Sequence, residues 1–145
     1  MNITRLITDP IDVNEALGAI ADPECGAQVF FLGVVRNEFE GRASQGIFYD
    51  AYVSLAEKEL ARIATELHDA FDIRHLVLVH RIGDLPVGTA SVLVAVAAGH
   101  RPDAFRAAKE GIDRIKARVP IWKREHWVKG PDTWHDDASA SHDVE

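Results

Sequence analysis

Three apolar runs, separated by polar turns, constrain the fold of this chain more than any other feature of its sequence. They are residues 27–35 (AQVFFLGVV), 74–82 (RHLVLVHRI) and 90–98 (ASVLVAVAA). Short apolar runs bounded by turn residues are typical of buried strands. Residues 47–53 and 121–128 also have strand character. The sequence therefore predicts five strands, and we expect the apolar runs to be buried.

Three helices are predicted between these strands. Residues 13–22 and 55–70 follow possible capping boxes that begin at Asp12 and Ser54, and both carry apolar residues at helical spacing. Residues 102–118 begin with a proline, as first helical turns often do, and end before another. The predicted order is α-β-β-α-β-β-α-β. This order favours an α+β fold with a mixed sheet and three main helices.

The remaining segments were interpreted as connections. Residues 38–46 are polar and contain two glycines, which predicts a flexible loop, and residues 83–88 have turn chemistry. We expect residues 1–135 to form a single domain and the acidic residues 136–145 to be a disordered tail. The beginning of the sequence has no apolar signal segment, and no apolar run is long enough to span a bilayer, so we expect a cytoplasmic protein with no membrane partner.

Charge is unevenly distributed along the chain. The formal net charge is −7, which argues against a nucleic-acid partner. Residues 101–129 nevertheless contain nine Lys or Arg and only four Asp or Glu. A basic segment within an acidic protein indicates a local anion site, although such charges also commonly solvate one helix face.

One candidate anion site lies where a strand is followed by a helix. His100 and Arg101 precede Pro102, and backbone N–H groups at a helix N-terminus attract anions. Arg101 could clamp a phosphate, and His100 could donate or relay a proton. Arg36 at the end of an apolar strand is a second candidate for a pocket rim. The simpler alternative, that all three are solvated surface residues, stays open on these grounds.

Lys116 and Lys123 are candidates for chemistry. Lys116 lies near the end of the third predicted helix, and Lys123 interrupts an apolar strand. If the fold held both amines close together, each charge would disfavour protonation of the other, and one amine could then act as a base or nucleophile. A solvated basic face is the alternative.

Cysteine and histidine spacing gives no sign of a metal or a thiol nucleophile. Cys25 is the only cysteine, so no internal disulfide can form, and its neighbours Asp22 and Glu24 disfavour a thiolate. The seven histidines show no metal-binding spacing, which predicts that no metal is bound by the protein.

Several of these segments together resemble the large, catalytic subunit of molybdopterin synthase. They are GVVRN at 33–37, YDAY at 49–52 with AEK at 56–58, HRIG at 80–83 with Gly88, HR at 100–101 with AF at 104–105, and Lys116 followed by PIWKRE at 120–125. The last motif is the most specific, because no general rule for strands or helices explains it. The resemblance extends over about residues 27–134.

The resemblance implies a fold and a reaction. The family has an α/β hammerhead fold and forms a central homodimer. Each large subunit binds a small ubiquitin-like sulfur-carrier subunit with a C-terminal Gly-Gly thiocarboxylate, which makes a heterotetramer. The reaction installs two dithiolene sulfurs in cyclic pyranopterin monophosphate to give molybdopterin. No cofactor is bound permanently, and a donor protein agrees with the absence of a reactive cysteine in this chain.

The resemblance also implies roles for individual residues. Lys116 would be the main catalytic amine, and Lys123 would hold and polarise the same reacting groups. Glu125 would orient Lys123 or Arg124 through charge-assisted hydrogen bonds. The residues implied to bind substrate are Val34, Val35, Arg36, His100, Arg101, Arg124 and Glu125.

Two other classes of function are alternatives to this interpretation. A non-catalytic adaptor for a ubiquitin-like tail would not need Lys116 and Lys123. A free-standing phosphate-ester enzyme would need metal ligands or a nucleophile that the sequence does not offer.

Overall fold

The computed structural model describes residues 1–136 and contains three helices and nine strands in that range. In chain order they are β1 (Asn2–Ile7), α1 (Val13–Ala19), β2 (Ala27–Val34), β3 (Glu38–Phe39), β4 (Arg42–Ala51), α2 (Val53–Ala70), β5 (His75–Arg81), β6 (Gly83–Pro86), β7 (Ala90–Ala98), α3 (Arg101–Arg118), β8 (Ile121–Trp127) and β9 (Thr133–Asp136). The predicted α+β class with a mixed sheet and three helices is confirmed.

The first sheet contains the apolar runs and forms the centre of the core. Its strand order is β1-β5-β7-β2, with β1 parallel to β5 and the other neighbours antiparallel. Alternate residues of β5 and β7 point to opposite faces. One face, which includes Leu78 and Val94, packs with α2 and α3, and the other, which includes Val79 and Leu93, packs against α1. Both faces of β5 and β7 are therefore buried, which explains their nearly continuous apolar runs. The run at 27–35 was also expected to be buried, but it forms the edge strand β2, which is only partly buried.

The second sheet is built around β4 and carries most of the sequence motif at 120–125. Its order is β3-β4-β8-β9, and β6 also pairs with β4. β8 is antiparallel to β4, with Lys123 opposite Tyr49 and Glu125 opposite Ile47. Residues that face each other in this way project from the same side of a sheet. The register thus groups Tyr49, Lys123 and Glu125 on one face.

Several predicted connections are strands in the structure. Residues 38–46 were predicted to be a flexible loop, but they form β3, its turn and the beginning of β4, because main-chain pairing satisfies their polar backbone. β6 lies in the predicted turn at 83–88. β1 and β9 were also not predicted, and β9 includes the first residue of the predicted tail. Residues 137–145 lie outside the described residues.

The two predicted capping boxes differ in outcome. The Asp12 side chain accepts a hydrogen bond from the Glu15 amide, so α1 is capped as predicted. The α2 prediction was wrong at its N-terminus, where the cap residue is Tyr52 and no side chain caps the helix. None of the helices within residues 1–136 combines the length and the apolar character needed to cross a bilayer.

Gly46 provides a stability prediction for the contact between β4 and β6. Its φ is +152°, and a Cβ at this position would lie 2.7 Å from the Leu85 carbonyl oxygen, a backbone atom that cannot rotate away. Gly46→Ala should therefore lower the free energy of unfolding by about 2 kcal/mol. Gly41→Ala is the matched control, because Gly41 also has positive φ but has open space around it, and should cost about 1 kcal/mol. Equal urea midpoints for the two variants would contradict the close approach.

Candidate active site

β8 presents two different faces, and the predicted site residues are divided between them. Lys123 and Glu125 lie on the buried face, whereas Arg124 and His126 lie on a partly exposed one. This alternation follows from the two-residue period of a strand. Arg124 is consequently separated from its two neighbours in the motif.

Lys123 is a largely buried cation, with only 8% of its surface exposed. Its Nζ lies 4.5 Å from the centroid of the Phe39 ring, which provides a cation–π contact. Tyr49 is its cross-strand partner in β4, and His135 is its partner in β9. An ammonium group in such a setting interacts more strongly with an anion than one in water does. The structure therefore supports Lys123 as a candidate for binding a reacting anionic group.

Glu125 is fixed in place by a hydroxyl group that the sequence analysis did not identify. Its carboxylate is 2% exposed and accepts a hydrogen bond of 2.5 Å from Ser44 Oγ. The Ser44 hydroxyl in turn accepts a hydrogen bond from the Gly46 amide. Ser44 thus orients Glu125 on the Lys123 face of the sheet. The expected hydrogen bonds from Lys123 or Arg124 to the Glu125 carboxylate remain a prediction.

Arg124 packs among aromatic rings on the opposite face. Its guanidinium carbon lies 5.1 Å from the ring centroids of both Phe48 and Trp134, and its Nε lies 3.4 Å from Asp132 Oδ2. These contacts stabilise the pairing of β4, β8 and β9. The structure does not bring Arg124 together with Lys123 and Glu125, and its predicted substrate contact stays a prediction.

Two buried aromatic side chains extend the Lys123 face toward the first sheet. The Tyr49 and His80 rings meet edge to face with centroids 5.0 Å apart, and both side chains are almost fully buried. His80 Nδ1 is 2.8 Å from the carbonyl oxygen of Arg81. Both residues occur in motifs that support the family resemblance, but neither was predicted as a site residue. Tyr49 alternates with less buried neighbours in β4, whereas His80 ends a continuous buried run in β5, so only Tyr49 had a periodic signal in the sequence.

The predicted residues at the end of β2 lie at a sheet edge. Val34 is 48% exposed, Val35 is buried, and Arg36 is exposed just beyond the strand. The Val35 amide donates to the Thr89 carbonyl and the Val35 carbonyl accepts from the Gly88 amide, which fixes the backbone where Arg36 begins. Arg36 therefore projects from an anchored position, and its place at a pocket rim stays a prediction.

His100 and Arg101 lie at the N-terminus of α3, and both are exposed. Lys116 is partly buried in the last turn of the same helix. At a rise of 1.5 Å per residue, the fifteen steps from Arg101 to Lys116 separate their Cα atoms by about 22 Å. That distance is too great for both side chains to contact the same small molecule. The structure therefore does not bring the predicted phosphate clamp and the predicted catalytic amine together within one chain.

An ion-pair network holds the C-terminal end of α3. Arg118 donates to Glu59 Oε1 and to both carboxylate oxygens of Glu66, at 2.6–3.0 Å, and Arg114 also pairs with Glu66. The hydrogen bonds from Arg118 hold the pKa of Glu66 below its usual value, despite the opposing effect of burial. This network ties the turn that carries Lys116 to α2.

His126 connects β8 to two carboxylates. Its Nδ1 lies 2.8 Å from Asp132 Oδ2 and its Nε2 lies 2.9 Å from Asp84 Oδ1. Burial alone would lower the pKa of His126, but the two hydrogen-bonded carboxylates outweigh this effect and raise it above its ordinary value. The imidazolium is therefore favoured in the folded state.

This arrangement predicts a specific pH dependence of stability. A pKa that is raised on folding stabilises the folded state fully below the unfolded value, about 6.5, and the stabilisation is lost as pH rises through the folded value. The difference in free energy of unfolding between the natural chain and His126→Gln should thus be largest near pH 5 and should decline above neutral pH. Urea denaturation of both proteins at several pH values measures this difference. A difference that grows with pH would contradict a raised pKa for His126.

A separate cavity lies away from these residues. It has a volume of about 200 Å³ and lies beneath α1, with Ile3, Val79 and Leu93 among its lining residues. These residues belong to the sheet face opposite α2 and α3. Because none of the predicted site residues lines it, we place the candidate active site at the Lys123 face and at the two ends of α3.

Known proteins with similar sequences and structures define the family. A family model described as MoaE protein matches residues 6–118. The molybdopterin synthase catalytic subunit of Drosophila persimilis is 42% identical over 126 residues, which make up 86% of this chain and 35% of the fly protein. This chain therefore spans about a third of the length of that relative.

Two solved structures have the same fold. The molybdopterin synthase structure from Staphylococcus aureus has a TM-score of 0.85 and 37% identity, covering 90% of this chain and 94% of that one. A complex of subunits 1 and 2 of molybdopterin-converting factor from Helicobacter pylori has a TM-score of 0.71 and 25% identity. The match covers 87% of this chain and 90% of that one. These matches confirm the resemblance indicated by the sequence motifs. The extent of the family match and the near end-to-end agreement with the staphylococcal chain show that this chain belongs to the MoaE protein family.

Proposed function

We propose that this chain is the catalytic subunit of a molybdopterin synthase. It would convert cyclic pyranopterin monophosphate to molybdopterin with sulfur from a small ubiquitin-like carrier, and would act in the cytoplasm. The observation that carries the proposal is the buried Lys123 amine, which shares one sheet face with Tyr49 and the fixed carboxylate of Glu125. The names of the fly and staphylococcal relatives support the same reaction.

The proposed chemistry assigns different tasks to the two lysines. Lys123, held against Phe39 and Tyr49, would bind the thiocarboxylate of the carrier and polarise it. Lys116, which is partly buried and therefore more accessible than Lys123, would act as acid and base or activate the thiocarboxylate carbonyl. Each carrier tail supplies one sulfur and leaves as a carboxylate whose new oxygen comes from water. Two carrier molecules are therefore consumed for each dithiolene formed.

The length of α3 supports a site shared between two copies of the chain. A phosphate bound at His100 and Arg101 of one copy cannot reach Lys116 of that same copy, because the helix separates them by about 22 Å. A homodimer can place the α3 N-terminus of one copy beside the α3 C-terminus of the other. Exposed Phe31, Leu32 and Val34 on the edge strand β2 provide apolar surface that a subunit interface would cover. We propose this homodimer as the core of a heterotetramer with two carriers.

Mixing two inactive variants tests the shared site. Lys116→Ala and Arg101→Ala homodimers should each have little activity, because each lacks one half of every site. After subunit exchange, half of the dimers contain one copy of each variant. Each of these mixed dimers has one intact site out of two, so the mixture should recover about a quarter of full activity. Exchange is verified by native mass spectrometry. An exchanged mixture that stays inactive would show that both residues serve a site within one chain.

Reconstitution from purified components tests the function itself. The chain is mixed with a thiocarboxylated carrier and the cyclic pterin, and the dithiolene product is measured by mass spectrometry. The expected result is product formation that needs all three components and consumes two carriers per product. Efficient binding of the carrier with no product under any condition would favour a non-catalytic adaptor.

A further inference from the structure

Three potential metal ligands meet at a place unrelated to the Lys123 face. Asp22 and Cys25 lie in the turn between α1 and β2, and His75 is the first residue of β5. One ligand atom from each residue lies within 4.8 Å of the other two. All three side chains are partly buried, so a bound ion would be shielded from water and still be able to enter.

The turn already holds the ligands close to the required geometry. The Asp22 side chain accepts a hydrogen bond from the Glu24 amide through Oδ1, which leaves Oδ2 directed at His75 Nε2, 2.7 Å away. The Cys25 amide donates to the Asp22 carbonyl at 3.0 Å, so the thiol and the carboxylate are on the same tight turn. The amide of the next residue, Gly26, donates a hydrogen bond to the Gly99 carbonyl, which anchors the turn to the end of β7. To hold one ion, the Asp22–His75 pair would open to about 3.3 Å, the separation of two ligand atoms in a tetrahedral zinc site, and the thiol would complete the set within a cluster already less than 4.8 Å across.

The charges around the cluster can accommodate a divalent cation. Arg74 Nε lies 3.7 Å from Asp22 Oδ2, and another nitrogen of the same guanidinium pairs with Glu24. Asp22 and Glu24 together therefore exceed the positive charge of Arg74. A cysteine binds a metal as the thiolate, so metal binding would release the thiol proton and add a negative charge to the cluster.

We propose that Asp22, Cys25 and His75 form a binding site for Zn²⁺ or a similar divalent cation. A thiolate, an imidazole and a carboxylate are the ligand types that Zn²⁺ prefers, and a water molecule would complete a tetrahedral site. The ion would join the α1–β2 turn to β5, so its role would be to stabilise the fold. The proposal departs from the sequence-based expectation that no metal is bound. His75 is fifty residues beyond Cys25, so no local spacing could indicate the cluster.

Cobalt binding tests the site directly. The full chain, prepared without a histidine tag and freed of metal by a chelator, is titrated with Co²⁺. We expect one equivalent to bind, with a thiolate-to-cobalt charge-transfer band in the near ultraviolet and release of a proton. Zn²⁺ should then displace the Co²⁺ and remove the band. It should also raise Tm, with a stabilisation that grows with the logarithm of the Zn²⁺ concentration once the site is saturated.

Variants identify the ligands. Cys25→Ser should remove the charge-transfer band, and His75→Gln and Asp22→Asn should each weaken Co²⁺ binding by at least about tenfold. His126→Gln is the matched control, because His126 also lies between carboxylates but has no thiol nearby, and it should bind Co²⁺ normally. Circular dichroism without metal verifies that each variant is folded. The proposal would be overturned if Co²⁺ did not bind saturably to the natural chain. It would also be overturned if the charge-transfer band survived in Cys25→Ser, or if His75→Gln bound Co²⁺ with normal affinity.

Discussion

Lys116→Ala should yield a folded protein that forms almost no dithiolene. Lys116 is partly buried in the last turn of α3, where its positive charge interacts favourably with the helix dipole. Its removal should therefore lower the free energy of unfolding by less than about 1 kcal/mol. Removing a catalytic amine that acts as acid or base should lower turnover by roughly two to three orders of magnitude. Turnover is measured in the reconstituted system, and stability is measured by urea denaturation of the same preparation.

Lys109→Ala is the matched control for this prediction. Lys109 lies on the same helix and forms an exposed ion pair with Asp113 at 2.7 Å, so its removal changes charge and helix propensity in a similar way. It should retain nearly full activity, because exposed pairs contribute little and Lys109 has no place in the proposed chemistry. If Lys116→Ala folded normally and turned over at the rate of Lys109→Ala, Lys116 would have no part in the mechanism.

Removal of the two C-terminal glycines from the carrier should abolish sulfur transfer and leave most of the docking affinity. A Gly-Gly tail can enter a narrow channel because it has no side chains, and its terminal anion would meet Lys123 and Lys116. The globular body of the carrier would dock separately on an apolar surface with a polar rim. Calorimetry of the truncated carrier should therefore show binding, while single-turnover assays should show no product.

The complementary variant changes the receptor instead of the tail. The double variant Lys116→Ala, Lys123→Ala should still form the complex with an intact carrier but should not transfer sulfur. Lys123 is largely buried, so thermal denaturation must first verify that the double variant is folded, and Lys123→Met, which keeps the side-chain volume, serves as a second form. Full transfer from free sulfide without any carrier would refute the two-protein mechanism.

The positions of the helices and of the buried strands could be predicted because both depend on local patterns. The apolar runs of β5 and β7 and the apolar stripes of α2 and α3 reflect which residues face the core. The run of β2 was equally apolar, but the sequence could not show that β2 lies at a sheet edge and is only partly buried. Asp12 was recognisable as a cap because its side chain bonds to an amide only three residues away. The motif around Lys123 was specific enough to indicate the family, although it gave no indication that Lys123 is packed against Phe39.

Long-range pairing decided the rest. β1 has little strand character of its own and is held by parallel pairing with β5, more than seventy residues away. The motif KRE at 123–125 is continuous in sequence, yet the pleat of β8 places Arg124 on the opposite face from Lys123 and Glu125. Ser44 became a partner of Glu125 only through the register of β4 with β8.

The sequence by itself determined the fold class, the core-facing residues and the family, because each of these depends on residue types and spacings along the chain. Only the tertiary structure decided which of the predicted site residues share a surface. The rigid rise of α3 separates Arg101 from Lys116, whereas the meeting of a turn with a strand brings Asp22, Cys25 and His75 together. Within a helix or a strand the backbone geometry is fixed, so the number of residues between two positions gives the distance between them. Across a turn it does not, because tertiary packing determines which residues meet.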